Sequence, residues 1–85
     1  MASYKILVKP SAVKEIEASP KRDRQRIVAR IQRLSSDPRP PGCQKLSGQD
    51  NFRLRQGAYR IVYSVNDDEL SLLVVKVGHR KDVYR

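Results

Sequence analysis

One cysteine, one histidine, one phenylalanine and no tryptophan occur among the 85 residues of this chain. The lone thiol, Cys43, cannot close an internal disulfide, and one thiol with one imidazole does not make a Cys/His metal set. The expectation is a reducing, cytoplasmic setting with no metal and no cofactor. Long apolar runs are also missing. None approaches the ~20 residues of a membrane span, and Met1–Pro10 lacks an apolar core long enough for a secretory leader. An aromatic content of 6% supplies few rings for a base-stacking platform. There is no Gly-rich phosphate loop, no Ser-His-Asp or Cys-His spacing and no carboxylate pair that stands out. Acids are scarce as well: nine Asp and Glu stand against eighteen Lys and Arg, for a net charge of +9. Such a balance calls for a polyanionic or acidic partner, with nucleic acid first and a membrane surface second.

What is present reads as one small domain over residues 1–85. Tyr4–Val8 predicts a short strand ended by Lys9-Pro10. Ser11 is placed to cap a helix running to about Ala18, with Val13 and Ile16 on one face. Ser19-Pro20 restarts the chain as a second helix to Leu34, with Ser19 as cap and Pro20 in the first helical position. Ile27, Val28, Ile31 and Leu34 form its apolar stripe, ringed by Lys21, Arg22, Arg24, Arg26, Arg30 and Arg33. That cationic face is either solvated or partner-binding. Asp37–Gly42, with three prolines, serves as the crossover to a sheet, and Leu46 is expected to be buried. Three antiparallel strands follow: Phe52–Arg55, Tyr59–Val65 and Leu70–Val77, joined at Gln56-Gly57-Ala58 and Asn66–Glu69. The order β-α-α-β-β-β predicts an α+β fold: a small, mainly antiparallel sheet with two N-terminal helices on one face and the other face open.

Strand alternation sorts the cations. Phe52 and Leu54 point one way and Arg53 and Arg55 the other. Tyr59, Ile61, Tyr63 and Val65 share a face, and Arg60 takes the opposite one. With the apolar sets against the helices, Arg53, Arg55 and Arg60 emerge on the open face, and Arg80 and Lys81 leave the last strand near the same surface. Guanidinium groups ~6–8 Å apart at an effective dielectric near 20 repel by about 2 kcal/mol per pair before screening. An anion bound among them relieves that cost. Cleavage of RNA fits such a surface, because the 2′-OH beside the scissile phosphate supplies the nucleophile. The protein then has to orient the strand, neutralise the phosphate and move protons. Arginine is no practical base. Near the cluster only His79, Lys81 and Tyr84 can transfer protons, and a phenol among cations has its phenolate favoured.

These pieces resemble a known family. Lys45-Leu46-Ser47-Gly48, Phe52-Arg53-Leu54-Arg55, Tyr59-Arg60-Ile61-Val62-Tyr63 and the ending Val77-Gly78-His79-Arg80-Lys81-Asp82-Val83-Tyr84 are similar to those of RelE-type toxins, in the RelE/ParE superfamily of toxin–antitoxin pairs. The resemblance covers nearly the whole chain and implies a RelE-like microbial ribonuclease fold. It also implies a ribosome-dependent endoribonuclease that enters the decoding A site and cuts mRNA through 2′-OH attack. By position, Arg60 and Arg80 would contact the scissile phosphate, and Tyr84 would orient or deprotonate the 2′-OH, with His79 as a further proton carrier. Arg53, Arg55, Lys81 and Lys45 would bind RNA. The best-known relatives carry lysines at the Arg53/Arg55 pair, so base work here shifts to Tyr84 or His79. The implied partners are a RelB-like antitoxin, the ribosome and its mRNA, and operator DNA only as the toxin–antitoxin complex. A membrane is not among them. Two other readings stand beside this one: a ParE-like toxin of the same fold that targets DNA gyrase, and a basic RNA-binding module without chemistry.

Overall fold

The computed structural model describes residues 3–46 and 51–79. Along the chain run β1 (Lys5–Val8), α1 (Pro10–Glu17), α2 (Lys21–Arg33), β2 (Gln44–Lys45), β3 (Asn51–Gln56), β4 (Tyr59–Asn66) and β5 (Ser71–His79). One sheet holds all five strands in the order β1-β5-β4-β3-β2. β1 lies parallel to β5, and the remaining pairs are antiparallel. The expected α+β architecture is therefore present, with the two-residue edge strand β2 added beyond the sequence reading. Gln44 and Lys45 carry no strand pattern of their own, and pairing with Arg53 and Phe52 makes them a strand.

Both helices begin differently from expectation. The residue before a proline is pushed out of the helical region. Lys9, at φ −60° and ψ 144°, is thus the N-cap of α1, Pro10 takes the first turn and Ser11 lies inside the helix. At the second start Pro20 itself is the extended N-cap. Ser19 Oγ instead donates to the Glu15 carbonyl at 3.0 Å, closing the end of α1. Neither helix has a side-chain cap bond at its start, so burial rather than capping holds them. The buried stripe is Ala12 and Ile16 on α1 and Ile27, Ile31 and Leu34 at the end of α2, while Val13 and Val28 lie outside it and are exposed. Against these pack Phe52, Leu54, Ile61, Tyr63, Val65, Leu72, Val74 and Val77 from one face of the sheet. Leu46, expected inside, is half-buried.

The pairing of β4 with β5 changes register. Tyr63 faces Val74, but Val62 faces Lys76, so Val75 is an extra residue on β5. A bulge of this kind shifts the two-residue alternation by one. Leu72 and Val74 face the core before it, and Val77 does so after it.

A polar hub ties the Pro-rich crossover to the sheet. Arg39 donates from Nη1 and Nη2 to both oxygens of Asp67, at 3.2 and 2.9 Å, and the Tyr4 hydroxyl donates to Asp67 Oδ1 at 2.7 Å. The guanidinium also lies 5.2 Å from the Phe52 ring centroid, and that ring stacks on Tyr63 at 5.7 Å. The Tyr63 hydroxyl donates to the Pro38 carbonyl at 2.7 Å, and burial pushes its phenol far above the ordinary tyrosine value. Crossover, β1 entry and the β4–β5 turn thus meet at one carboxylate.

Two outcomes follow. The hydrogen bonds from Arg39, then from Tyr4, hold the Asp67 carboxyl below the ordinary aspartate value of 3.8. A depressed folded value stabilises the fold above the unfolded value, and that contribution is lost as pH falls through the folded one. Urea midpoints compared between about pH 6 and about pH 2 will show a smaller acid loss in Asp67→Asn than in the parent. Gly57 begins the two-residue β3–β4 turn at φ +60°, and a Cβ there would meet nothing within 4 Å. Gly57→Ala therefore costs backbone conformation alone, about 1 kcal/mol, read as a lower urea midpoint at unchanged slope.

Candidate functional site

The hairpin register builds the site. Arg55 on β3 lies opposite Arg60 on β4, and Gly78 on β5 lies opposite Arg60 from the other side. The next row is Arg53, Val62 and Lys76. Residues directly opposite in an antiparallel pair share a face, and this face is the one turned from the helices. Neighbouring strands run about 4.8 Å apart, so the two rows gather Arg53, Arg55 and Arg60 within one small area. Like charges directly opposite destabilise a sheet, and Arg55 against Arg60 is such a pair. Among the described residues no strand position of this face is a carboxylate, and the one acid paired with a cation of these two rows is Glu15, which reaches Lys76 from α1. The acidic turn Asp67–Glu69 follows Asn66, six residues along β4 from Arg60 and so about 20 Å away.

The three arginines are held differently. Arg55 is exposed at the strand end. Arg53 is half-buried, and its Nη2 donates to Gln44 Oε1 at 2.5 Å, which is what β2 contributes to this face. With Gly42, these three side chains line a polar cleft of about 330 Å³. Arg60 was expected to emerge, yet it is only 3% exposed. Its strand is flanked on both sides, by β3 and β5, whereas Arg55 sits one strand nearer the edge. The central arginine of the cluster is thus an enclosed cation rather than a splayed one.

Two assigned residues do not join it. His79 pairs with Tyr59, in the row after Ile61–Val77, and so lies on the helix side of the sheet. Its ring meets Tyr59 edge-on at 5.5 Å and 85°. There it lines a cleft of about 240 Å³ with Glu15, Ala18, Ser19, Tyr59, Val77 and Gly78. The bulge at Val75 is the cause, because it sends Gly78 rather than His79 to the arginine face. Lys45 is exposed but pairs with Phe52, on the opposite face from Arg53 and Arg55. Arg80, Lys81 and Tyr84 lie outside the described residues, as do Ser47 and Gly48. Among the described residues no group of His, Cys, Asp or Glu is placed to hold a metal ion, and no helix is long and apolar enough to cross a membrane.

Sequence reasoning missed Glu15. Its Oε1 accepts the Val77 backbone N–H and its Oε2 the Lys76 ammonium, each at 2.9 Å. The only signal for it was an acid near the end of a helix in a chain poor in acids. The outer face of α2 keeps its expected cationic character: Arg26, Arg30 and Arg33, with Ala29 and Gln56, line a further cleft. Neither the Arg39–Asp67 nor the Lys76–Glu15 ion pair involves α2.

Residues 6–84 match the family described as the ParE toxin of type II toxin–antitoxin system, parDE. A putative RelE-like toxin protein of Escherichia coli is 29% identical over 85 residues, covering 95% of this chain and 90% of that protein. Toxin RelG of Mycobacterium tuberculosis is 38% identical over a 34-residue segment, 40% of this chain and 39% of RelG. Among solved structures, the RelE–RelB complex of Pyrococcus horikoshii is similar with a TM-score of 0.81 at 26% identity, covering 94% of this chain and 98% of that one. The isolated E. coli RelE toxin is similar with a TM-score of 0.79 at 26% identity, covering 96% and 92%. The chain belongs to the ParE toxin family of type II toxin–antitoxin systems, within the RelE/ParE superfamily.

Proposed function

We propose that this toxin is a ribosome-dependent endoribonuclease that cuts mRNA in the decoding A site. The observation that carries the reading is the gathering of Arg53, Arg55 and Arg60 on one face with no carboxylate among its described residues. A surface of that kind suits a phosphodiester in the act of gaining charge. The likeness to proteins named RelE supports the same choice.

In the proposed reaction the 2′-oxygen attacks the adjacent phosphorus in line. The new O–P bond closes a 2′,3′-cyclic phosphate as the P–O5′ bond breaks. The 2′-OH proton passes to a base, and the departing 5′-oxygen takes up a proton. Arg60 and Arg80 neutralise the phosphate, while Arg53, Arg55 and Lys81 hold the flanking strand. Tyr84 takes the 2′-OH proton, and His79, on the far side of the sheet, takes no part. Lys45 supports the approach of RNA from the edge rather than at the phosphate. The proposed regulator is a RelB-like antitoxin, in keeping with similar toxins solved as RelB–RelE complexes. An acidic segment of it would cover the cationic surface, and the pair together would bind operator DNA.

The reading makes a direct forecast. Arg80→Ala and Tyr84→Phe should each lower mRNA cutting on translating ribosomes by about 100-fold or more at unchanged thermal stability, while His79→Gln stays within about threefold of the parent. Primer extension of mRNA after brief expression will show parental cuts in translated regions and in codon register. Parental cutting by both the Arg80 and Tyr84 variants would sink the site. DNA breaks with translation intact would select the gyrase reading, and RNA binding without cut products the binding module.

A further inference from the structure

The sheet leaves one stretch of β5 without a neighbour. β1 has four residues and pairs only with Ser71–Val74. Its last contact is Lys9 N–H donating to the Val74 carbonyl at 3.0 Å, after which the chain turns into α1. Among the described residues no strand therefore pairs with the β1 side of β5 from Val75 to His79. This is also the stretch that follows the bulge, so its register is not carried over from the paired half. It bears Gly78 opposite Arg60, and Arg80 follows it directly in the chain.

Glu15 occupies that edge from α1. Val77 N–H points away from β4 and donates to Glu15 Oε1 at 2.9 Å, and Lys76 Nζ donates to Oε2 at the same distance. One half-buried carboxylate thereby grips two successive residues immediately after the bulge. In a chain with half as many acids as bases, this acid is placed on the sheet and not among the arginines of α2.

We infer that Glu15 is a positioning residue. Its grip on Lys76 and Val77 takes the place of the missing strand and fixes the end of β5, which sets where Gly78 meets Arg60. This rests on the reading of the arginine face as the phosphodiester site. Glu15 bonds to Lys76 and Val77 and acts through β5. A misplacement of 1 Å at a reacting centre is enough for a large loss of rate.

The test compares Glu15→Ala with Glu15→Gln. Alanine suits a helical position, so α1 itself is not weakened. Glutamine keeps an oxygen for Val77 N–H and gives up the ion pair with Lys76. Two readouts are needed: amide hydrogen exchange residue by residue, and kcat and KM for mRNA cutting on programmed ribosomes. In Glu15→Ala the amides of Val77 and Gly78 should exchange about tenfold faster or more, with those of Ile27, Ile31 and Leu72 unchanged. kcat should fall about tenfold or more with KM within about twofold, and Glu15→Gln should recover most of both losses. Unchanged exchange at Val77 and Gly78 overturns the inference. So does equal acceleration at every amide, or local loosening with parental kcat. A parent that cuts no mRNA sinks the nuclease reading itself. A cutting parent matched by an equally active Glu15→Ala sinks only the role of Glu15.

Discussion

A single extra residue in β5 decides what this protein can do with its sheet. With Val75 bulged out, the apolar residues Leu72, Val74 and Val77 all reach the core although they do not share one alternation. Without it, Lys76 would face Ile61 in the core and His79 would move to the arginine face. The bulge is enforced from the core side, because burying the Val77 side chain rather than an ammonium is worth several kcal/mol. Its consequence on the other side is that Gly78, the residue with no side chain, lies across from Arg60. The β3–β4 register gathers the arginines, and the bulge in β5 turns the imidazole of His79 away from them.

The distribution of acids completes that picture. Asp67 gathers Arg39 and Tyr4 at the crossover, and Glu15 gathers Lys76 and Val77 at the bare edge of β5. Both are structural ties at the margins of the sheet. Isolated exposed ion pairs contribute little, but each of these carboxylates also accepts a further hydrogen bond and joins segments far apart in the sequence. Arg53, Arg55 and the cations of α2 remain outside both ties. A small domain has a thin margin of stability. Placing its few acids at these joints while keeping Arg55 opposite Arg60 concentrates positive charge on one face of the sheet.

Much of this was legible in the chain, and the failures share a cause. Alternation in Phe52–Arg55 and Tyr59–Val65 was enough to put Arg53, Arg55 and Arg60 on one face, and Gly57 marked the turn between them, because both are local properties of the backbone. Leu72–Val75 reads as four apolar residues without a polar break before Lys76, so periodicity could not show where its phase changes. The face of His79 depended on that phase, which puts its ring with Tyr59 on the helix side of the sheet. β2 exists only through pairing with β3, and Lys45 took its face from that pairing. Both helix caps were assigned to serines by propensity; at the first the restriction that Pro10 places on Lys9 prevailed, and at the second Pro20 itself is the extended cap. The enclosure of Arg60 reflects its place in the middle of the sheet order, which no local pattern states.

Fold likeness alone does not choose between nuclease and gyrase-directed toxins, since function resides in the site and not in the scaffold. The family match embraces the superfamily, and the same two helices and sheet serve both branches. The distinction has to come from chemistry that one activity needs and the other does not. A protein that only grips another protein has little reason to enclose a guanidinium at the centre of a cationic row, where desolvation is costly and like charges stand close. A protein that stabilises a phosphate gaining charge has that reason, because a donor held rigidly and away from water acts on the transition state more strongly than one that moves freely in solvent. In the proposed reading Arg60, at 3% exposure between Arg55 and Gly78, would be such a donor. It is this residue, more than the size of the net charge, that favours the cutting of RNA.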